Sequence, residues 1–360
     1  MMGKRVVFLY LVIFVLAITI TASASNEQWL GGSTRTPIVT YGQGWYLLYE
    51  DFLYYYSLEE CQPVELCMRL NCLHRNEENI QDCDACAWGA LSIGCIEDHI
   101  FFLQFDDQTG SAIYRSNIDG SSHQIWSSLP LKENSTQTEY GIHGDTYFYS
   151  ETVINVGENT EDLQAVSSLY AIRLINPNTA PILIEQWNVN ERAIQPLQVS
   201  NDVLYYLTGT IDGEKMLWAF DMKSMEKKLL HQTKESAYWY CVDDTFYMLC
   251  PNQGVFAFNA DDKKKTGIIQ LLKPCFQIVC NGEWFFCLSH NEEATEIQVY
   301  SMKGELISEI SMPEVHSIIN CTDNMIFLSS DTSRDLPGWL VCVNEDFSAN
   351  IYEIKLPEGW

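Results

Sequence analysis

The chain is poor in positive charge. Its 360 residues include 21 lysines and arginines against 48 aspartates and glutamates, giving a formal net charge of −27 at pH 7. The densest basic run, Lys263–Lys265, directly follows two aspartates. Because a polyanion would be repelled by this surface, the composition argues against nucleic acid as a partner, and the charge mainly favours solubility.

Catalytic signatures are absent from the sequence as well. It contains no Gly-x-Ser-x-Gly nucleophile motif, no His-Glu-x-x-His zinc motif and no phosphate-binding loop. Adjacent aspartates occur at 106–107, 243–244 and 261–262, but sequence neighbours at a turn point their side chains apart. We therefore expect solvated turn residues there, rather than the paired acids of a glycoside hydrolase.

The sequence has one long apolar run, Val6–Ile20, and it lies at the N-terminus. Lys4 and Arg5 precede it and the small residues 22–24 follow it, which is the pattern of a signal peptide spanning residues 1–24. We expect a secreted or cell-surface protein of residues 25–360, monomeric, and in contact with a membrane only if the segment stays uncleaved. An uncleaved anchor is the alternative, although the run is slightly short for a full span.

Cysteine is missing from the middle of the chain. Of 13 cysteines, six lie between Cys61 and Cys95 and seven between Cys241 and Cys342. The second group sits inside apolar runs, where a cysteine can act as a small buried hydrophobic residue. Because an exported chain would normally form disulfides, the six cysteines of the first group are candidates for disulfides or for metal ligands.

Short apolar and aromatic runs recur along the rest of the chain. A turn residue followed by three or four such residues occurs seven times, beginning at residues 44, 99, 145, 202, 244, 283 and 324. Each is followed by a second run and a turn such as Asp119-Gly120 or Lys303-Gly304, which suit tight hairpins. The later intervals are close to the length of one propeller blade.

These repeats predict an all-β fold, a β-propeller with seven four-stranded blades. One four-stranded sheet cannot bury both of its faces, whereas sheets packed around an axis can. Six or eight blades, and a pair of β-sandwiches, are the alternatives. Two insertions interrupt the repeats: a cysteine-rich segment after the first blade, about residues 61–89, and an acidic loop at about residues 153–168.

The cysteine-rich insertion contains the densest group of metal-ligating residue types. Three thiolates and an imidazole would complete a tetrahedral zinc site, and Cys67, Cys72, His74 and Cys83 can supply them, with Cys86 as a substitute for Cys83. In an exported chain, disulfides among the six cysteines are the preferred interpretation. Those six are Cys61, Cys67, Cys72, Cys83, Cys86 and Cys95. No cofactor other than this structural zinc is expected.

A resemblance to known proteins rests on two segments. They are Cys67-x4-Cys72-x-His74 with the following Cys83, and the run Tyr114-Arg-Ser-Asn-Ile-Asp-Gly-Ser121. Together they resemble uncharacterised exported propeller proteins of Clostridia-type bacteria. The second run is also similar to the repeats of TolB-like and low-density-lipoprotein-receptor-type propellers. The resemblance implies a propeller fold for the chain after residue 24, and it implies no activity.

The expected function is binding without catalysis. We expect the central opening or the loop-rich face to recognise a protein or a glycan at the cell surface. The alternative is a carbohydrate-active enzyme, a glycoside hydrolase or lyase, with carboxylates in the central funnel. The two differ in an observable way, because the enzyme would bring two or more carboxylates together at the funnel, while a binding protein would present aromatic or uncharged polar residues.

Overall fold

The computed structural model is all-β, and its seven four-stranded antiparallel sheets form a seven-bladed propeller, which confirms the predicted fold class. Among the residues that it describes there is no helix long and apolar enough to span a bilayer. The predicted signal peptide, residues 1–24, lies outside the described residues. These are 38–41, 44–49, 51–57, 63–70, 72, 83–90, 92–106, 110–129, 134–143, 145–156, 163–189, 192–200, 202–210, 212–234, 238–242, 245–250, 253–258, 265–271, 273, 275–290, 294–312, 315, 317–322, 325–329, 338–344 and 348–354.

Each blade consists of four consecutive strands. Blade 1 contains β1 (Ile38–Tyr41), β2 (Gly44–Tyr49), β3 (Phe52–Ser57) and β4 (Val64–Glu65). Blade 2 contains β5 (Ile93–Ile96), β6 (His99–Asp106), β7 (Gly110–Asn117) and β8 (Gln124–Leu129). Blade 3 contains β9 (Ser135–His143), β10 (Thr146–Val156), β11 (Leu163–Arg173) and β12 (Ile182–Asn188).

The remaining blades follow the same order. Blade 4 contains β13 (Arg192–Ser200), β14 (Val203–Thr210), β15 (Lys215–Asp221) and β16 (Lys227–Thr233). Blade 5 contains β17 (Tyr238–Val242), β18 (Thr245–Cys250), β19 (Gly254–Phe258) and β20 (Lys265–Ile269). Blade 6 contains β21 (Gln277–Cys280), β22 (Trp284–His290), β23 (Thr295–Ser301) and β24 (Leu306–Met312). Blade 7 contains β25 (Ser317–Thr322), β26 (Met325–Ser329), β27 (Trp339–Val343) and β28 (Ala349–Glu353).

The first strand of each blade lies innermost, because first strands of neighbouring blades contact each other around the axis. A Cβ atom added to Gly94 of β5 would lie 2.6 Å from Cγ2 of Ile142 on β9, so this contact needs glycine. Between β21 and β25 a side chain makes the link. The Gln277 amide donates to the carbonyl of Ile318 at 2.8 Å and accepts from its N–H at 2.7 Å.

The second strands are buried on both faces, which explains why their sequences are continuous apolar runs rather than alternating ones. All six residues of β2, and all but the first residue of β18, are buried. Hydrophobic clusters fill the space between adjacent blades, as where Phe148 of blade 3 packs in one cluster with Leu204 and Tyr206 of blade 4. The aromatic residues that marked the repeats in the sequence therefore form the contacts between blades.

Within residues 38–354, as far as the structure describes them, side chains close the ring. Blades 1 and 7 each consist of four strands that are consecutive in sequence, and no strand pairing between the two blades occurs among these residues. One cluster joins them, in which Trp45 and Leu47 of β2 pack with Leu340 and Cys342 of β27. Closure therefore depends on buried apolar surface and not on a shared sheet.

The turns between third and fourth strands pack against the preceding blade. Gly120 in blade 2 and Gly304 in blade 6 have φ angles of +82° and +88°, which favour glycine. A Cβ atom at Gly120 would lie 2.2 Å from the carbonyl oxygen of Leu66, and one at Gly304 would lie 2.0 Å from that of Ile268. The Asp-Gly and Lys-Gly turns seen in the sequence therefore serve contact between blades as well as chain reversal.

The acidic insertion of blade 3 is shorter than the sequence predicted. Strands β10 and β11 stay paired as far as Val156 and Leu163, with Val153 opposite Val166. The β-branched and apolar residues at the base of the predicted loop therefore extend the hairpin. Of the interval 153–168, only residues 157–162 are left between the strands, and they lie outside the described residues.

Candidate functional site

The outer strand of blade 1 is divided by an excursion of the chain. The amide of Leu66, just after β4, donates to the carbonyl of Leu53 at 2.9 Å. The amide of Leu53 in turn donates to the carbonyl of Ala85 at 2.8 Å. The outer strand thus has two parts, one ending at Leu66 and one containing Ala85, and both pair with Leu53 of β3. The chain leaves the sheet between these two parts. We call residues 67–82 the excursion; 67–70 and 72 are its described residues.

Three cysteines meet where the excursion leaves and rejoins the blade. The sulfur atoms of Cys67, Cys72 and Cys83 all lie within 4.8 Å of one another, and the three residues are free thiols. Within the described ranges, this is the only group of metal-ligating side chains close enough to share an ion. The structure thus brings together three of the four ligands predicted from the sequence, while His74 lies outside the described residues.

The surroundings of the cluster shift the pKa values of Cys67 and Cys83 in opposite directions. Burial alone would raise the pKa of Cys67, but hydrogen bonds from the backbone amides of Arg69 and Asp84 and from the Cys72 and Cys83 thiols outweigh it, and the pKa is lowered. Burial raises the pKa of Cys83 strongly, and the negative charge on Cys67 adds to this although the Ala85 amide opposes it. Of these two thiols, Cys67 therefore ionises at the lower pH.

Of the other described cysteines in the first group, neither Cys86 nor Cys95 has its sulfur atom in this cluster. Cys86 is buried and its backbone forms an isolated bridge with Phe52, while Cys95 lies on β5. Burial raises the pKa of Cys86, and it raises that of Cys95 to about 12. Cys61 lies outside the described residues. Disulfide pairing among the six cysteines stays a prediction.

Two polar contacts hold residues 83–87 in place. We call these residues the returning segment, because the chain rejoins the blade there. Arg69 Nε donates to Asp84 Oδ1 at 2.7 Å across the base of the excursion. His123 of blade 2 has Nδ1 at 3.1 Å from the carbonyl oxygen of Asp84, so this nitrogen must carry the proton. Burial lowers the pKa of His123, which favours the neutral ring. The rings of Phe102 and Tyr114 lie 5.3 Å and 5.0 Å from its centroid.

Exposed apolar side chains concentrate around the same base. Leu70 is 94% exposed and Met68 61%, while Trp88, just after the returning segment, is 46% exposed. On the outer strands of other blades the described residues expose single aliphatic side chains instead, one per strand: Ile125, Leu183, Leu229, Leu306 and Ile351. Ile175 and Met225 add one exposed apolar side chain each in turns of blades 3 and 4. With Val64, blade 1 has four among the described residues, against two in each of those blades.

The chain that follows the excursion, at Ala87 and Gly89, shares a face of the propeller with the blade 3 hairpin. We call this the 2–3 face, because the turns between second and third strands lie on it. The Ala87 amide donates to the carbonyl of Asp51 at 2.7 Å, and the Gly89 amide to its side chain at 2.8 Å. Since Asp51 forms the turn between β2 and β3, the returning segment ends on the 2–3 face. The β10–β11 hairpin ends on this face too.

The innermost strands hold few charged residues. Across all seven, Glu139 of β9 is the single acidic residue and Arg192 of β13 the single lysine or arginine. Amide and tyrosine side chains supply most of the remaining larger polar groups: Gln137, Gln195, Gln198, Gln277, Asn320, Tyr140, Tyr238 and Tyr240. The two carboxylates that do meet beside these strands belong to turns: Asp145 and Asp202, which follow β9 and β13, both contact the guanidinium of Arg173.

Sequence reasoning missed two parts of this region. The divided outer strand was read as a separate insertion, because Cys83–Ala87 does not show a strand pattern. His123 was not identified as a contact, because its partner Asp84 is 39 residues away. His123 lies in the turn between the third and fourth strands of its blade. Since such turns pack against the preceding blade, this position could have indicated that His123 contacts blade 1.

Comparison with known proteins identifies the fold and no family. Neither a protein-family model nor a curated protein sequence matches the chain. A solved structure from a study of two prolyl endopeptidases is similar with a TM-score of 0.57 at 12% identity, over 94% of this chain and 52% of that one. The present chain thus spans about half the length of that protein. The AfRom2 CNH domain matches at 10% identity and a TM-score of 0.42, over 90% of this chain and 96% of that one.

Proposed function

We propose that this propeller is a binding module outside the cytoplasm, and that its partner is a protein docked on the base of the excursion in blade 1. The observation that carries the proposal is the exposure of Met68, Leu70 and Trp88 in two short segments of one blade. Exposed apolar side chains at this density are typical of interaction sites, whereas single ones are ordinary on a soluble surface.

The segments that carry these side chains are fixed to the blade. Residues 66 and 85 both pair with Leu53, and the Arg69–Asp84 ion pair joins the two segments at 2.7 Å. A docking surface on fixed backbone loses little conformational entropy when a partner binds. This supports a preformed site rather than a loop that becomes ordered on binding.

The chemistry of the surface favours a protein over a glycan. Leucine and methionine side chains offer no flat face for a sugar ring, but they fit apolar pockets of a protein, and tryptophan is a frequent anchor in such interfaces. The chain carries a formal charge of −27, so a partner with lysines and arginines around an apolar centre would be complementary in charge. The partner we propose therefore has an apolar centre and a basic rim.

The composition of the innermost strands supports binding over glycoside hydrolysis. Glycosidases use two carboxyl groups facing each other across the scissile bond. The innermost strands contain one acidic residue, Glu139, so a pair of acids would have to come from the adjoining turns. The two acids that meet there, Asp145 and Asp202, both contact the guanidinium of Arg173, which favours a structural role over acid catalysis.

The test begins with a partner captured by photo-crosslinking on the cells that make this protein. That partner is then purified, and its affinity for the chain is measured by calorimetry. Because a central apolar anchor contributes about 2 kcal/mol or more, Leu70→Asp and Trp88→Asp should each weaken binding about 30-fold or more. Ile351→Asp, at a residue 41% exposed on the outer strand of blade 7, is the matched control and should leave the affinity unchanged.

Two results would contradict the proposal. One is a partner that binds wild type, Leu70→Asp and Trp88→Asp equally well. The other is a glycan that binds the propeller, or is cleaved by it, with the same affinity or rate in all three proteins. In the second case the central opening would be the functional site.

A further inference from the structure

We propose that Cys67, Cys72 and Cys83 form a binding site for one soft divalent cation, zinc being the first candidate, and that the ion fastens the excursion to blade 1. This site is independent of the docking surface proposed above, because it depends on the cysteines and not on the exposed apolar side chains. It reverses the preference for disulfides that the sequence suggested.

The arrangement of the three sulfur atoms carries the inference. All three lie within 4.8 Å of one another although they come from three separate points of the chain. Zinc–sulfur bonds of about 2.3 Å in a tetrahedron place sulfur atoms about 3.8 Å apart, so small movements suffice for coordination. A disulfide, by contrast, joins two sulfur atoms and leaves the third unused next to it.

The backbone around the sulfur atoms supports thiolates. The amides of Arg69 and Asp84 hydrogen-bond to the sulfur of Cys67, and the amide of Ala85 to that of Cys83. Such donors stabilise negative charge on sulfur and orient the ligand, which is the role of the outer shell at metal sites. At both Cys67 and Cys83, one donor is the amide two residues after the cysteine.

The ligand set selects the class of ion. Thiolates favour zinc, copper(I) and iron–sulfur clusters over calcium and magnesium, which prefer oxygen ligands. Iron–sulfur clusters generally use four cysteines, whereas zinc accepts three thiolates and one imidazole. His74, two residues after Cys72, was predicted as the fourth ligand and stays a prediction, which a His74→Ala variant tests.

The place of the cluster explains what the ion would do. Cys67 and Cys83 flank the gap between the two halves of the outer strand, both of which pair with Leu53. An ion shared between them closes the excursion at its base, and Cys72 holds the excursion from within. The site is therefore structural, and it would fix Met68 and Leu70 beside the returning segment.

The experiment measures metal content and coordination in the full chain. The protein is purified, reduced, incubated with zinc and passed through a desalting column, and the metal is quantified by mass spectrometry. We expect one equivalent of zinc in wild type, near zero in Cys67→Ser and Cys83→Ser, and one equivalent in the control Cys95→Ser. Cobalt in place of zinc should give strong visible absorption and a sulfur-to-cobalt charge-transfer band, characteristic of a tetrahedral thiolate site.

The cobalt spectrum needs no variant, so it decides the question even if a substitution prevents folding. The proposal would be overturned if zinc fails to bind the wild type, or if Cys67→Ser and Cys83→Ser both retain one equivalent. It would also be overturned if protein made under oxidising conditions with zinc present has a disulfide between two of the three cysteines.

Discussion

Arg69 and Asp84 form an ion pair at 2.7 Å across the gap in the outer strand of blade 1. The arginine belongs to the segment that leaves the blade and the aspartate to the segment that returns. Their backbone amides both hydrogen-bond to the sulfur of Cys67. The side chains of these two residues thus bridge the gap, and their backbone amides stabilise negative charge on the sulfur of Cys67.

Loss of the bound ion should destabilise blade 1. Closing a loop of roughly 15 residues by a cross-link stabilises a protein by about 3 kcal/mol in the chain-entropy model. We therefore expect a chelator to lower the free energy of unfolding of zinc-loaded protein by about that amount, measured by urea denaturation. The chelator should have no effect on Cys67→Ser, and an equal effect on that variant would show that it acts elsewhere.

The two flanking thiols should differ in reactivity. Because its pKa is lowered, Cys67 has a larger thiolate fraction at a given pH than an ordinary cysteine. The raised pKa and burial of Cys83 have the opposite effect. In metal-free protein at neutral pH, pulsed alkylation followed by peptide mapping should modify Cys67 before Cys83.

Acid should slow the alkylation of Cys67 only below its lowered pKa, since the thiol replaces the thiolate there. The midpoint of its rate–pH profile should accordingly lie below that of a cysteine peptide. Equal rates for both thiols, or a midpoint above that of the peptide, would contradict the asymmetry.

The side chain of Gln277 should be essential for the stability of the inner ring. Its amide pairs with both the N–H and the carbonyl of Ile318, and Gln277 is buried. Gln277→Leu would leave two buried backbone groups unpaired, each at a cost of about 1–3 kcal/mol. We expect a loss of about 2 kcal/mol or more in urea denaturation.

Gln232→Leu is the matched control for this substitution. Its side chain donates to Glu214 at 2.7 Å on the exposed surface. Surface changes of this kind stay within about 0.5 kcal/mol. Equal losses in both variants would show that the Gln277 contacts do not carry the effect.

Ring closure should be sensitive to the cluster between blades 1 and 7. Leu340→Ala removes a fully buried side chain from it, which typically costs about 2–5 kcal/mol. Because no described strand pairs blade 1 with blade 7, we expect faster amide hydrogen exchange in both of them and little change in blade 4. Leu306→Ala, at a residue 40% exposed, is the control. Exchange that rises only in blade 7 would mean that closure does not depend on this contact.

The number of blades could be predicted from the sequence, and the divided outer strand could not. Each second strand is a run such as Trp45–Tyr49 or Phe285–Leu288, and burial on both faces of every blade requires such runs. The pairing of Leu66 and Ala85 with Leu53 depends on contacts across the excursion, for which no local pattern exists. The cysteine spacing indicated Cys67, Cys72 and Cys83 as candidate ligands, but the closeness of their sulfur atoms follows from that pairing.

The exposed apolar surface was equally hidden in the sequence. Met68, Leu70 and Trp88 are residue types that usually lie in a core, and the sequence offers no sign that they face solvent. In blade 3 the acidic residues between the strands concealed that Val153 and Val166 extend the hairpin. Both differences arise because the partner of a segment, and not its own composition, decides whether it is buried or paired.

X-ray absorption at the zinc edge tests the central claim most directly, because it counts the sulfur atoms around the ion in the intact chain. The account predicts three sulfur neighbours at about 2.3 Å and one nitrogen or oxygen neighbour at about 2.0–2.1 Å in wild type. In Cys83→Ser, any residual zinc should show fewer sulfur neighbours. A wild-type spectrum with only nitrogen and oxygen neighbours would contradict the account.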